Sequence, residues 1–260
     1  MMLRGIYAVV VLDMKRFWLD RARLVMGLAQ PLLYLFVLGA GLGSSSQLGG
    51  NYQRFIFPGV LGLSMLFTAT FSAITIVFDR QMGFFKAVLV APVPRTAIAL
   101  GKIVAGALQA AVQGVIVLPF APLAGVPVGV GETFVLLAAM LLACATFSAI
   151  GVAFASRFTS VTVFPIVSNA VLLPMFFLSG ALYPLTMAPR WMQVAAHFDP
   201  VAYAVDLMRG ALLGKFFFPV ALSLAAQAAV IALLAWAAVR VFKRGEDDSS
   251  LGEAKFSWRR

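Results

Sequence analysis

His197 and Asp199, two residues apart, are the nearest this chain comes to a catalytic or metal-binding pair. A zinc site needs three or four nitrogen, sulfur or carboxylate ligands, and this is the only histidine, with Cys144 the only cysteine. His197 therefore reads as a solvent-facing or locally satisfied side chain, and Cys144 as a small apolar residue inside a helix. No G-x-S-x-G turn presents a serine nucleophile. A nucleotide-phosphate loop would need G-x-x-x-x-G-K-[ST]. Gly101-Lys102 lacks both the earlier glycine and the hydroxyl residue, and Gly129 and Gly131 run into Glu132. The chain does not hydrolyse ATP by that route and reads as a non-enzyme.

The elements that hold these residues are set by composition. The sequence is 62% hydrophobic and 12% charged, with a mean hydropathy of +0.97. Soluble domains carry about a quarter charged residues, so polar surface this scarce cannot cover a water-soluble core. The expected class is an all-α integral membrane protein. Six apolar stretches are long enough to cross roughly 30 Å of hydrocarbon: Leu24–Gly43, Phe55–Phe78, Ala97–Gly125, Thr133–Ser156, Ser160–Tyr183 and Phe216–Phe242. Lys102 lies inside the third, with Pro119 and Pro122 near its far end. The net charge of +10 could suggest nucleic acid, but in so apolar a chain cations mark cytoplasmic loops. Of the 20 basic residues, Arg54, Arg190, Arg209 and Lys215 fall on one side, and all the others fall on the side of the termini. That bias predicts cytoplasmic termini.

Residues 1–23 form a separate unit ahead of the first stretch. At 100° per residue, Leu3, Ile6, Tyr7, Val10, Met14, Phe17 and Trp18 share a sector about 120° wide, while Arg4, Lys15, Arg16 and Asp20 lie outside it. The pattern predicts an amphipathic helix in the membrane interface, apolar residues toward lipid and cations toward anionic headgroups. Residues 243–260 read as a solvated cytoplasmic tail.

Two connections stand out. Asp79–Val90 reads as a short helix stopped by Pro92 and Pro94, which lack amide donors. Its Phe84, Phe85, Val88 and Leu89 need cover, either from the chain's own bundle and the bilayer or from a groove on a cytoplasmic partner. Chemistry leaves these alternatives open. Pro184–Lys215 reads as two short amphipathic pieces broken at Asp199-Pro200, dipping into the outer leaflet, since each is shorter than a crossing needs.

Ion-coupled carriers hold carboxylates at mid-membrane. None lies in the central third of any stretch; Asp79 and Glu132 sit at edges. Gln109, Gln113, Ser168, Asn169 and Gln227 are the polar residues within the stretches. They could line a substrate path, though interhelical hydrogen bonds of about 1 kcal/mol account for them as well. Gly39 and Gly43 have the spacing for close helix packing. Pro165 and Pro174 are expected to bend the fifth stretch.

The run Phe78-Asp79-Arg80-Gln81-Met82-Gly83-Phe84-Phe85-Lys86-Ala87-Val88-Leu89-Val90-Ala91-Pro92-Val93-Pro94-Arg95, with Gly101-Lys102 after it, resembles the signature loop of export-type (type 2) ABC transporter permeases. Leu178-Ser179-Gly180-Ala181-Leu182-Tyr183-Pro184 together with Asp199-Pro200-Val201-Ala202-Tyr203-Ala204-Val205-Asp206 and Arg209-Gly210 resembles the same family. Within it, the chain looks closest to bacterial drug-resistance and lipo-oligosaccharide export permeases. The resemblance covers nearly the whole chain and implies a permease domain over residues 24–242 in a bacterial inner membrane. It makes the connection after the second span a coupling helix, in which Arg80, Gln81, Met82, Gly83, Phe84, Phe85 and Lys86 meet a separate ATP-binding subunit and Val88 and Leu89 pack beneath. It further implies a second permease copy, identical or not, with ATP and Mg held on the partner subunits and none in this chain. Phe84 and Phe85 are bulkier than the polar or aliphatic residues frequent at these positions. The expectation is an exporter of an amphipathic drug, lipid or glycolipid. An ion-coupled secondary transporter is the alternative from another class.

Overall fold

The computed structural model describes residues 2–39, 41, 52–82, 94–126 and 129–257. Among these residues every regular element is a helix. The apolar runs give the reason. In lipid each backbone amide and carbonyl must be satisfied within the segment, which a helix does and an open strand does not.

α1 spans Met2–Leu19. It stops at Asp20, whose carboxylate accepts the Arg23 amide at 3.1 Å and so caps α2, Arg21–Leu33. α2 continues through a π-helical turn at Tyr34–Leu38. Pro31, inside α2, cannot donate to the carbonyl four residues earlier, that of Gly27. Ser64 of the next helix takes that carbonyl instead, at 3.4 Å.

α3, Tyr52–Ser72, and α4, Ile74–Gln81, are one long rod interrupted at Ala73. α5 is Arg95–Val117. The third apolar stretch ends there as helix, because Pro119 and Pro122 divide its remainder into two tight turns that close at Gly125 with φ +72°. α6 is Val130–Ala155 and α7 is Val163–Leu178. α8, Arg190–Phe198, and α9, Pro200–Leu213, precede α10, Val220–Ser257.

Among the described residues, five helical segments are long and apolar enough to cross a membrane: Arg21–Leu38, Tyr52–Gln81, Arg95–Phe120, Gly131–Ala155 and Val220–Phe242. The fifth expected span is the exception. α7 has only 16 residues, about 24 Å at 1.5 Å per residue. It ends because Gly180 turns the chain at φ +73°, a region that a residue with a Cβ enters only at a cost. Pro165 falls in the first turn of α7, where its missing amide had no partner to lose. Pro174 alone lies in the helix interior.

One further expectation is corrected. The connection Pro184–Lys215 does contain two short helices, but only α8 is amphipathic, exposing Trp191 and Phe198. α9 is buried on all sides from Val201 to Gly210, packed among α3, α6 and α10. Its Ala202, Ala204 and Gly210 are small enough for that approach, and its two charged residues, Asp206 and Arg209, bond backbone groups of the flanking connections. α10 continues as helix beyond residue 242 to Ser257, into the segment expected as a tail. No proline follows Pro219 to stop it.

The core sits where α3, α5, α6 and α9 converge on Phe57, Leu61, Met65, Met140, Phe147 and Met208. Cys144 belongs to this core, with Sγ 3.6 Å from Met65 Sδ. A second cluster, including Ile76, Ile103, Val152, Phe164 and Phe242, fills the end of the bundle where α1 packs. α2 and α10 lie at the flanks, each with only 11% of its apolar window buried.

Candidate functional site

The end of the bundle bearing α1 carries the stem of the expected coupling helix. Gly83, Phe84, Phe85, Lys86, Val88 and Leu89 lie outside the described residues; Asp79, Arg80, Gln81 and Met82 lie within them. The first three finish α4 and tie it to its neighbours, and Met82 caps it.

Asp79 faces inward to a charge cluster. Lys102 Nζ of α5 lies 3.0 Å from Asp13 Oδ2 of α1 and 3.6 Å from Asp79 Oδ2. Arg16 of α1 reaches Asp79 at 3.6 Å and Asp13 at 4.0 Å. Thr75 Oγ1 accepts from Lys102 Nζ at 2.9 Å. The side chains of Lys102 and Asp13 are 8% and 4% exposed, so each would be a severe desolvation cost without the other. Two cations and two carboxylates balance. A lysine inside an apolar span is explained by this cluster, and the clue in the sequence was the lysine itself, which demands a partner. Asp13 gave no comparable signal, because it sits on the polar side of a helix otherwise read for its lipid face.

α1 is packed on the bundle along one side and exposed along another. Leu3, Tyr7 and Trp18 are exposed, as a lipid-facing sector would be, while Gly5, Asp13 and Phe17 are buried. α1 lies so close to α5 that a Cβ at Gly101 would come within 2.9 Å of Val9 Cβ. Gln109 of α5 donates from Nε2 to the Asp13 carbonyl at 3.2 Å.

Arg80 turns to the other flank. Its Nη1 donates to the Ser156 carbonyl at the end of α6 at 2.6 Å, and its guanidinium stacks over Phe242 of α10. Gln81 Oε1 accepts the Val161 amide, in the link before α7, at 3.3 Å. Arg95, at the start of α5, donates to the Phe242 carbonyl at 3.3 Å. Gln81 and Met82 are exposed. The short stretch Asp79–Gln81 thus contacts α1, α5, α6, the α6–α7 link and α10.

The polar residues considered for a path do not share one cavity among the described residues. Gln109 bonds α1, Gln113 lies against Gly27 of α2, and Ser168 of α7 neighbours Thr70 of α3. Asn169 is half-buried beside Ser168. Gln227 accepts from Thr146 Oγ1 at 3.2 Å and joins α10 to α6.

At the opposite end the two later motifs meet. Arg209 of α9, 6% exposed, donates from Nη2 to the carbonyls of Gly180 at 2.8 Å and Ala181 at 3.4 Å. Its guanidinium lies 4.2 Å above the Phe55 ring of α3. Tyr52 donates to the Leu182 carbonyl at 3.1 Å, so the broken end of α7 has its carbonyls accounted for. Asp206 accepts the Phe217 and Phe218 amides at 2.8 and 3.0 Å and orders the turn into α10. Asp199 caps α9 through the Val201 amide at 2.9 Å, and burial pushes its carboxyl up to about 7 despite that bond. His197 is exposed and pairs its Nδ1 with the Gln193 carbonyl at 2.8 Å. The two residues have separate local roles and do not form a catalytic pair.

The sequence model of the family described as "ABC-2 type transporter" matches residues 4–213, from α1 through α9. Nodulation protein J of Rhizobium leguminosarum bv. trifolii is 35% identical over 204 residues, covering 74% of this chain and 75% of that protein. Nodulation protein J of Neorhizobium galegae is 28% identical over 240 residues, 86% of each chain. The inner membrane transport permease YadH of Escherichia coli strain K12 is 28% identical over 218 residues, 82% of this chain and 83% of that one. The matched range takes in most of the N-terminal helix, Asp79–Met82 and the α7–α9 motifs together. The chain belongs to the ABC-2 type transporter family and is a multi-pass membrane transport permease of an ABC transporter.

Proposed function

We propose that this permease is the membrane subunit of an exporter that moves an amphipathic drug, lipid or glycolipid out of the cell. ATP with Mg is hydrolysed on a separate ATP-binding subunit, which docks on the segment running from Arg80 through Lys86. The observation that carries this reading is the anchoring of Asp79–Gln81. A load applied to the segment beyond Met82 enters α5 and α1 through the Lys102–Asp13–Asp79 cluster, and α6 and α10 through Arg80. Gln81 and Met82 offer exposed surface at the point where the segment leaves the bundle. Phe84 and Phe85 would meet the subunit, with Val88 and Leu89 packing beneath.

The α1 end is the cytoplasmic end in this proposal, since nearly all basic residues cluster there and the positive-inside bias acts on such loops. The open flanks of α2 and α10 suit a second permease copy and lipid, with the substrate passing between the two permeases. Asn169 on α7 is the polar residue proposed to face that passage, with Ser168, buried beside Thr70 of α3, behind it. Gln109 and Gln113, held against α1 and α2, are proposed to act on it indirectly.

Phe85→Asp, in cells carrying the intact transporter, should abolish transport while the permease still reaches the membrane in normal amount. Unchanged transport by this variant would remove the docking assignment.

A further inference from the structure

The end of the bundle opposite α1 contains an open cavity of about 730 Å³. Three of its lining residues are Arg54, Arg209 and Lys215. These are three of the four basic residues on that side of the sequence; the fourth, Arg190, is not in the lining. The one carboxylate in the wall, Asp206, already accepts two backbone amides, so it leaves the cavity with an excess of two positive charges. Phe55 and Phe216 supply apolar wall beside the cations.

Arg209 makes this more than a chance grouping of exposed cations. It is buried, it reaches the cavity, and its Nη2 is held by the Gly180 and Ala181 carbonyls. A guanidinium has five N–H donors, more than the two carbonyls occupy. Arg54 and Lys215 are exposed and free to close on a ligand. A fixed fork with two adaptable cations suits a tetrahedral or planar oxyanion. An aromatic wall next to it suits an apolar chain.

We propose that this cavity binds a phosphate-type anionic group, the headgroup of an amphiphile, between Arg209, Arg54 and Lys215. Binding itself needs neither ATP nor a partner. Only its placement at the outer leaflet rests on the orientation proposed above, so failure of binding and failure of the transport reading are separable.

The test uses the full chain in non-ionic detergent with Thr186, in the cavity wall, changed to cysteine (Thr186→Cys) and labelled with an environment-sensitive fluorophore. Cys144 is buried and stays unlabelled. Short-chain phosphatidylglycerol, short-chain phosphatidylcholine and inorganic phosphate are titrated separately. Phosphatidylglycerol should give a saturable change at least about tenfold tighter than phosphatidylcholine. The Arg54→Gln/Lys215→Gln variant should weaken it about tenfold, as two exposed charge contacts are lost, and Arg190→Gln should leave it unchanged. Saturation by inorganic phosphate at similar concentrations would identify free phosphate as the source of the same chemistry; saturation by the lipid alone would identify a headgroup. Equal responses to the two lipids, or an Arg54→Gln/Lys215→Gln variant that binds like the parent, would overturn the proposal.

Discussion

Lys102 of α5 and Asp13 of α1 meet at 3.0 Å in a site almost closed to solvent. The pair joins a helix that lies across the end of the bundle to one that runs through it. Asp79, 3.6 Å from the same ammonium, brings in the end of α4, the stem of the proposed coupling segment. One lysine therefore positions three elements.

Removing that lysine leaves two carboxylates facing each other with only Arg16, which is partly exposed. Lys102→Met should destabilise the fold by about 3–5 kcal/mol, seen as a lower melting temperature in detergent. Adding Asp13→Asn should recover part of the loss, because the orphaned buried charge goes with it. If the double variant is as unstable as the sum of the singles, the pair is not coupled.

The contacts explain which features the sequence made legible. Hydrophobic length located five spans, and the basic residues sorted the two ends, because both depend on local composition. The α1 reading was half complete. Its 3.6-residue period grouped the apolar residues, but part of that sector, Phe17, is buried, and the adjoining side packs on α5 through Val9 against Gly101 and Asp13 against Lys102, a relation between residues far apart in the chain. α9 was read as a surface helix because its length cannot cross a bilayer. Its burial depends on Arg209 finding the Gly180 and Ala181 carbonyls and on Asp206 finding two amides, which only the folded connection supplies. The motifs pointed to that region as a unit without indicating that the two halves touch.

Gly180 turns the chain at φ +73°, and a Cβ there would lie 2.5 Å from Leu185 Cγ. Gly180→Ala should therefore destabilise by about 1–2 kcal/mol from the left-handed backbone alone, with the leucine contact adding to it. Gly125→Ala, at a similar φ but with nothing within 4 Å of a Cβ, should show the backbone cost alone. Equal melting temperatures for the two variants would count against the packing at Gly180.

The Asp199 carboxyl titrates near 7 in the folded chain, against an ordinary value of 3.8. Between these values the folded state holds a proton that the unfolded state has released. Stability therefore falls as pH rises from about 4 to 7 and is flat on either side of that window. Melting should occur at lower temperature at pH 7.5 than at pH 5.5. Asp199→Asn keeps a capping oxygen and cannot ionise, so the difference should shrink. An undiminished pH dependence in the variant would assign it to another group.

The central claim is that this permease works through a separate ATP-binding subunit seated at the end of α4. Its most direct test places a photocrosslinking residue at Met82, which is exposed at the end of the stem, and irradiates native membranes. The adduct is then purified in mild detergent and its partner sequenced by mass spectrometry. The account predicts one dominant adduct with a protein carrying an intact phosphate-binding loop. A permease recovered without such an adduct, while transport continues under the same conditions, would contradict it.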